Sequence, residues 1–332
     1  MTESRLRLSS SRFRYYLRTN RLKEEYESAC STEKTLIKTS SQSNTRPDEN
    51  IEAMLNPSGP GMGPFTKVTF HKDGLFSTVF KAAAKDTSDG LFGTTSLVAL
   101  KVTTPSAMTP PHDSEREARI LKDARSDNVI PLLQTLWQPG GRYVLTFPFM
   151  PLDLATVMRD SKLRAGNISR IVRDIFSAIS HLHSLGIIHR DIKPSNILLR
   201  SEAGPAYLAD FGTAWSPVDE ASESTSKKIT DVGTTSYRPP ELLFGFTCYD
   251  VSLDLWAAGC TVAEMVRPGH ESLFDAGDLG SELALIKSIF STLGTPDERL
   301  WPVRAFNYSQ QQWLLTILVG KAIPRLGQNA LR

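Results

Sequence analysis

Short runs of β-branched and aromatic residues follow one another in the chain after residue 64. They are separated by turns that contain Gly or Asp, which is the pattern of strands joined by tight connections. A single helical segment at about 113–124 interrupts them. Three strands, a helix and two further strands predict a small, mostly antiparallel sheet that carries one helix. The clearest runs are 65–70, 79–84, 96–102 and 143–147.

After residue 150 the apolar residues recur every three or four positions, which predicts long helices. Over 171–182 this spacing predicts a buried helix of about five turns, with Asn167 as its N-cap and Gly186 just past its end. The strand-rich first half and the helix-rich second half predict two lobes. Further helices are predicted over 255–265 and 283–293 and from the capping box at 295–298.

The composition is that of an ordinary globular chain. Its 332 residues are 40% apolar and 22% charged, and 38 basic side chains nearly balance 36 acidic ones. Because the charge is so even, we expect no nucleic-acid partner and no membrane partner. The three cysteines lie far apart, which excludes a disulfide scaffold and a cysteine-built zinc site and favours a reducing compartment.

The first 64 residues are polar and irregular. Seven basic residues and one acid occur among the first 23, and Pro and Gly crowd the stretch 56–64. This composition predicts a disordered basic and polar extension over 1–64 that ends in a linker. An Arg- and Ser-rich start is also typical of an organelle transit peptide, so mitochondrial targeting is an alternative.

One stretch carries the strongest chemical signal. His189-Arg190-Asp191-Ile192-Lys193-Pro194-Ser195-Asn196 is followed by Asp210-Phe211-Gly212, and Asp210 comes 19 residues after Asp191. Taken singly, each motif has an ordinary explanation as a turn or a surface loop. Together they resemble the eukaryotic protein kinases. The resemblance implies a two-lobe α+β fold, with a small antiparallel sheet lobe that has one helix and a larger, mainly helical lobe.

The resemblance also implies a serine/threonine protein kinase, which transfers the γ-phosphate of ATP to protein hydroxyl groups. Asp191 would accept or orient the hydroxyl proton, and Lys193, the residue type of serine/threonine kinases, would lie over the γ-phosphate. Asn196 and Asp210 would bind Mg²⁺ ions, since hard cations prefer oxygen ligands. Lys101 in Val98-Ala99-Leu100-Lys101 would contact the α- and β-phosphates.

The partner of Lys101 is expected on the helix that follows. Glu117, 16 residues further on, is the candidate because Leu121 lies one turn later on the same helix face, where it can pack into the core. Glu115 is the alternative.

The other nucleotide-binding residues also follow from the resemblance. The phosphate-covering loop keeps only its middle glycine, Gly74, which puts the affinity for ATP in question. In the link between the lobes Phe147 would be the gatekeeper, Pro148 needs only its carbonyl, and Met150 supplies an N–H. The predicted ATP-binding set is Lys72, Gly74, Ser77, Val79, Ala99, Lys101, Phe147, Pro148, Met150, Asp153 and Leu198.

The activation segment after Asp210 resembles that of the cyclin-dependent-kinase-like group. The ending Tyr237-Arg238-Pro239-Pro240-Glu241 carries this resemblance, together with Leu293-Gly294-Thr295-Pro296-Asp297-Glu298 further on. Arg190 would hold a phosphorylated or acidic activation segment. Thr230 is the candidate for that phosphate, and the acids of the segment are alternative occupants. Thr234, Arg238 and Glu241 complete the predicted segment. Asp254 would tie down the backbone of residues 189–196, the catalytic loop.

The helix that leads to Glu117 does not resemble the one that grips cyclin in cyclin-dependent kinases. With the long acidic activation segment, this resembles the fungal single-subunit kinases that activate cyclin-dependent kinases. We therefore expect a monomer that acts on cyclin-dependent kinases in cell-cycle control, in the nucleus or the cytoplasm. A cyclin-partnered kinase is the alternative. Thr213 resembles the residue of kinases that prefer threonine acceptors.

The resemblance covers residues 65–302. It implies a sheet lobe over 65–147, a hinge over 148–151 and a helical lobe over 152–302. Residues 303–332 match nothing in the family, so we expect an incomplete helical lobe in which Glu241 lacks its usual arginine. A pseudokinase scaffold is the corresponding alternative, against which the intact Lys101, Asp191, Asn196 and Asp210 weigh.

Overall fold

The structure is a computed structural model that describes residues 65–84 and 97–295 of the chain. These residues belong to one compact unit. The predicted extension 1–64, the tail 303–332 and the helix expected after Thr295 lie outside the described residues.

Antiparallel strands form the sheet of the first lobe. They lie in the order β1-β2-β3-β5-β4. Phe80 and Ala82 of β2, like Val98 and Leu100 of β3, are two positions apart and buried, as expected for side chains on one face of a strand. The strands are β1 (Phe65–Asp73), β2 (Ser77–Ala84), β3 (Leu97–Thr103), β4 (Gln134–Gln138) and β5 (Arg142–Pro148).

Strand β5 is longer than predicted. Val98 still pairs with Pro148, and the Phe149 N–H donates to the Leu97 carbonyl at 3.0 Å. The pairing with β3 therefore continues through Pro148, the first residue of the predicted hinge 148–151.

The predicted helix of this lobe, α1 (Ser114–Asp123), forms where it was expected. The Asp113 carboxylate caps it by accepting hydrogen bonds from the N–H groups of Glu115 and Arg116, both at 2.9 Å. Ile120 and Leu121 are buried against the sheet lobe and the helices behind it. The cap and this apolar face fix the position of Glu117.

The second lobe is mainly helical. The predicted buried helix is confirmed, and Gly186 follows its end with a φ of +72°. Asn167 as its N-cap is wrong, because the helix begins two residues earlier and the Asn167 side-chain amide donates to the Glu202 carbonyl at 3.2 Å. The helices are α2 (Leu154–Arg159), α3 (Ala165–Ser184), α4 (Pro240–Leu243), α5 (Ser252–Val266) and α6 (Glu282–Leu293).

A small second sheet carries the chemical motifs. Its strands β6 (Leu152–Asp153), β7 (Ile197–Leu199) and β8 (Ala206–Leu208) are antiparallel in that order. The motif 189–196 connects α3 to β7, and Asp210 comes two residues after β8. The two motifs are therefore held at one end of the same strand pair.

The predicted fold class is confirmed, since in the described residues an antiparallel sheet with one α-helix precedes a mainly helical part. Within 65–84 and 97–295, no helix has the length and apolar character needed to cross a membrane.

Candidate active site

Two adjoining cavities lie between the five-stranded sheet and the helical lobe. The first, of about 400 Å³, has apolar walls that include Val79, Ala99 and Leu198. The second, of about 380 Å³, is lined by Asp191 and Thr234. The first therefore suits a flat apolar group, and charged groups meet where the cavities join. The residues that line both are Lys72, Gly74, Ser77, Lys101, Ser195, Asn196 and Asp210.

Lys101 on β3 lies between two carboxylates. Its Nζ donates to both oxygens of Glu117, at 2.8 and 2.7 Å, and to Oδ1 of Asp210 at 2.8 Å. Burial alone would lower the pKa of Lys101, but the charges of Asp210 and Glu117 outweigh it and raise that pKa above its ordinary value. The Lys101 charge lowers the pKa of Asp210. Glu115, the alternative partner, is exposed.

A buried carboxylate on α5 holds the catalytic loop. Asp254 accepts hydrogen bonds from the backbone N–H groups of His189, at 2.8 Å, and Arg190, at 2.9 Å. Arg190 has a φ of +70°, a left-handed conformation that a side chain adopts only when its surroundings hold it. Asp254 therefore supports a strained turn immediately before Asp191.

The His189 imidazole supports the same turn from the other side. Its Nε2–H donates to the Ala209 carbonyl at 3.1 Å, and its Nδ1 accepts from the Asp191 N–H at 3.3 Å. Burial lowers the pKa of His189, which favours the neutral ring that this pair of bonds requires.

Three side chains orient the Asp191 carboxylate. Oδ1 accepts from the Thr234 hydroxyl at 2.7 Å, and Oδ2 accepts from the Asn196 amide at 3.0 Å. Lys193 Nζ lies 2.8 Å from Asp191 Oδ2 and donates to the Thr234 hydroxyl at 2.7 Å. The catalytic residues predicted from widely separated motifs thus meet at the second cavity.

The turn between β1 and β2 lies beside the junction of the cavities. The Gly74 N–H donates to the Ser77 carbonyl at 2.7 Å, and the strand register shifts between Phe70 and Lys72. Phe76 in the turn contacts the His112 ring, with 4.7 Å between the centroids. Lys72, at a position where the resemblance implies a glycine, lines both cavities and adds a positive charge there.

The link between the lobes closes the first cavity. Phe147 is 9% exposed and forms part of its wall, as do Pro148 and Met150. Among the described residues the Met150 N–H has no backbone acceptor, so it is available to a ligand. Asp153 lines the same cavity, but its carboxylate caps α2 by accepting from the Thr156 N–H at 2.8 Å.

The activation segment meets Arg190 through an acid. Glu223 accepts two hydrogen bonds from the Arg190 guanidinium, at 3.1 and 2.7 Å. Thr230, the predicted phosphate carrier, has no contact with Arg190 among the described residues, and its carbonyl accepts from Arg238 at 2.9 Å. Arg190 is thus held by Glu223, one of the acids predicted as alternative occupants, and Thr230 as the phosphate carrier stays a prediction.

Glu241 at the start of α4 is 4% exposed. In the described parts of the chain no cationic side chain pairs with its carboxylate. Burial raises the pKa of Glu241 to about 7. The nearby Arg238 instead pairs with Glu282 at 2.9 Å.

Sequence reasoning missed several contacts near the site. Asp219 pairs with Arg119 of α1, and Lys228 lies 4.6 Å from the Trp215 ring. The only available signal was the excess of acids in the activation segment opposite a helix with Arg116 and Arg119. Which acid meets which arginine depends on the path of the segment, and no local pattern specifies it.

The residues present fit ATP and Mg²⁺. The apolar walls of the first cavity suit an adenine ring, and the Met150 N–H suits its edge. Asp210, whose side chain is 50% exposed beside the cavities, and Asn196 supply the oxygen ligand types that Mg²⁺ prefers. The Lys101 ammonium suits phosphate oxygens.

Comparisons with known proteins agree with this site. The family described as "Protein kinase domain" matches residues 73–308. CTD kinase subunit alpha of Schizosaccharomyces pombe is 34% identical over 268 residues, which are 76% of this chain and 42% of that protein. Serine/threonine-protein kinase csk1 of the same yeast is 35% identical over 242 residues, 71% of this chain and 75% of that protein. Cyclin-dependent kinase 7 of Xenopus laevis is 35% identical over 246 residues, 72% of this chain and 64% of that protein. The chain thus spans less than two thirds of two of these three relatives.

Proposed function

The chain belongs to the protein kinase family, and we propose that it is a serine/threonine kinase of the cyclin-dependent-kinase-like group. The observation that carries this proposal is the set of contacts among Lys101, Glu117 and Asp210 beside an oriented Asp191. An ion pair to the phosphate-binding lysine, a metal-binding carboxylate and a proton acceptor are the parts that phosphoryl transfer requires. The proposed substrates are ATP and protein hydroxyl groups.

In the proposed reaction the acceptor oxygen forms a bond to the γ-phosphorus of ATP. The bond between that phosphorus and the bridging oxygen breaks, and ADP leaves. Asp191 takes or orients the hydroxyl proton at a carboxylate that Thr234 and Asn196 hold in place. Lys193 places a positive charge 2.8 Å from Asp191, where the acceptor enters. Mg²⁺, when bound through Asp210 and Asn196, offsets the phosphate charge.

We propose that the protein substrates are cyclin-dependent kinases and that no cyclin is required. An activation segment held by its own acids supports this proposal, since α1 is in place with Glu117 on Lys101 in a single chain. Action in the nucleus or the cytoplasm goes with this substrate, and imaging of the tagged full-length protein tests it against mitochondrial targeting.

We propose that threonine acceptors are favoured. Thr213 directly follows Asp-Phe-Gly, is 9% exposed and lines the second cavity, where the acceptor enters. Paired peptides that differ only in Thr or Ser at the acceptor test this preference. Equal kcat/KM for the two would reject it.

The decisive experiment measures transfer of labelled phosphate from ATP to a cyclin-dependent kinase made inactive by substitution of its own catalytic aspartate. Asp191→Asn is the matched control, because the amide keeps the shape of the side chain and removes the proton acceptor. Transfer that Asp191→Asn loses supports the proposal. Transfer to a general substrate but not to the cyclin-dependent kinase rejects the substrate, and activation by added cyclin favours a cyclin-partnered enzyme. No signal above the control identifies a pseudokinase.

A further inference from the structure

A short stretch of the activation segment bridges two elements of the site. We call residues 219–223 the acidic clasp. At one end the Asp219 carboxylate accepts two hydrogen bonds from Arg119 of α1, at 2.6 Å from Nε and 3.2 Å from Nη2. At the other end Glu223 accepts two bonds from Arg190 of the catalytic loop. Between them the Ala221 carbonyl accepts from Arg116 of α1 at 3.2 Å.

The Asp219 end of the clasp is preorganised. The side chain of Asp219 is 7% exposed, whereas that of Arg119 is 46% exposed. The Ala221 N–H donates to the Asp219 carboxylate at 3.0 Å, so the turn that follows holds the acid in place. The charge of Arg119 and these hydrogen bonds lower the pKa of Asp219, so it stays ionised at neutral pH.

The Glu223 end is more deeply buried. The Arg190 side chain has no exposed surface, so its charge needs a carboxylate beside it. The Glu223 carbonyl accepts from the Trp215 indole at 2.8 Å, which fixes the backbone of the clasp as well as its side chain. Burial alone would raise the pKa of Glu223, but the Arg190 bonds and charge outweigh it and lower that pKa. Arg116, on α1, adds its charge to the same acid.

The clasp acts on the catalytic residues through the elements it joins. Arg116 and Arg119 lie on either side of Glu117 in α1. The arginines contact the clasp, and Glu117 accepts a hydrogen bond from Lys101 on the adjacent face of the same helix. Arg190 directly precedes Asp191, so a shift of Arg190 moves the proton acceptor. Holding α1 and the catalytic loop together therefore holds both halves of the site.

We propose that Asp219 and Glu223 are positioning residues that keep α1 and the catalytic loop in their reactive arrangement without a phosphate on the activation segment. The carboxylate of Glu223 takes the place on Arg190 that a phosphate on Thr230 was expected to occupy. This proposal rests on the proposed function, because its kinetic test measures phosphate transfer.

The first test compares Glu223→Gln with Glu220→Gln, a matched control on an exposed acid of the same segment. We expect Glu223→Gln to lower kcat about tenfold, the effect of one lost hydrogen bond between charged groups. We expect the dissociation constant of adenosine to stay within about twofold, since the apolar cavity is untouched. Wild-type protein treated with a phosphatase should keep its kcat. Loss of most of that kcat on treatment, or an unchanged kcat in Glu223→Gln, would overturn the proposal.

The second test uses the Asp219 end of the clasp, where Arg119 is exposed. This end is chosen because Glu223→Gln leaves a buried arginine unpaired and risks misfolding. We expect Arg119→Ala and Asp219→Asn each to lower kcat several-fold, and the double variant to lose no more than the worse single variant. If the two losses multiply instead, the residues act independently and the clasp is refuted.

A third measurement needs no catalysis. Hydrogen exchange in Glu223→Gln should rise in α1 (Ser114–Asp123) and in 219–232, and stay unchanged in α6 (Glu282–Leu293). Unchanged exchange in α1 would reject the clasp even if the wild-type protein is active. A wild-type protein with no transferase activity, but with the expected exchange in the variant, would reject the proposed function and leave the clasp standing.

Discussion

Replacing Glu241 with Gln should stabilise the protein at neutral pH. The carboxyl is 4% exposed, and no described cation pairs with it. Burial raises its pKa from an ordinary 4.5 to about 7, which corresponds to about 3 kcal/mol of unfavourable ionisation in the folded state. A glutamine of similar shape carries no charge and avoids this cost.

The pH dependence gives the sign of the effect. Between pH 4.5 and about 7 the folded protein keeps a proton on Glu241 that the unfolded chain has released. The free energy of unfolding therefore falls as the pH rises through this window and levels off above it. Relative to the wild type, Glu241→Gln should gain about 2.5 kcal/mol more stability at pH 8 than at pH 5.

Urea denaturation of both proteins at pH 5 and pH 8 measures this difference, with the exposed Glu271→Gln as a control for charge removal. Equal destabilisation by Glu241→Gln at both pH values would refute the reasoning. It would mean that the carboxylate is ionised and paired in the folded protein.

Two further substitutions test the backbone around the site. Gly233 has a φ of +77°, and a Cβ there would lie 3.1 Å from the Arg190 carbonyl, so Gly233→Ala should lower kcat and the melting temperature. Gly245→Ala, at a φ of +74° with open space around it, should cost only the backbone strain of about 1 kcal/mol and leave kcat unchanged. Asp254→Asn should lower the free energy of unfolding by about 2 kcal/mol and reduce kcat, because an amide oxygen replaces a carboxylate that accepts two buried N–H groups. Wild-type stability in Asp254→Asn would contradict this role for the carboxylate.

Much of the fold was readable in the sequence because its signals are local. The apolar spacing of 171–182 specifies a buried helix face wherever the helix packs, and Gly186 ends the helix by its own backbone freedom. The start of that helix still needed the structure. Asn167 has the chemistry of an N-cap, but its side chain bonds a carbonyl 35 residues away.

The residues of the candidate site show the same division between local sequence signals and long-range contacts. The order and spacing of Lys101, Glu117, Asp191, Asn196 and Asp210 indicated a phosphoryl-transfer site, since each residue type suits one part of that reaction. Only the tertiary structure brings Lys101 within 2.8 Å of Asp210, which is 109 residues away in the chain.

The lobes, the helix faces and the types of residue at the site are encoded locally, because periodicity and side-chain chemistry act over a few neighbouring positions. The contacts of Glu223 with Arg190 and of Asp219 with Arg119 depend instead on how the whole chain folds. Several acids of similar chemistry stand in that segment. The choice among them follows from the path of the backbone and from the burial of Arg190, which requires the carboxylate that can reach it.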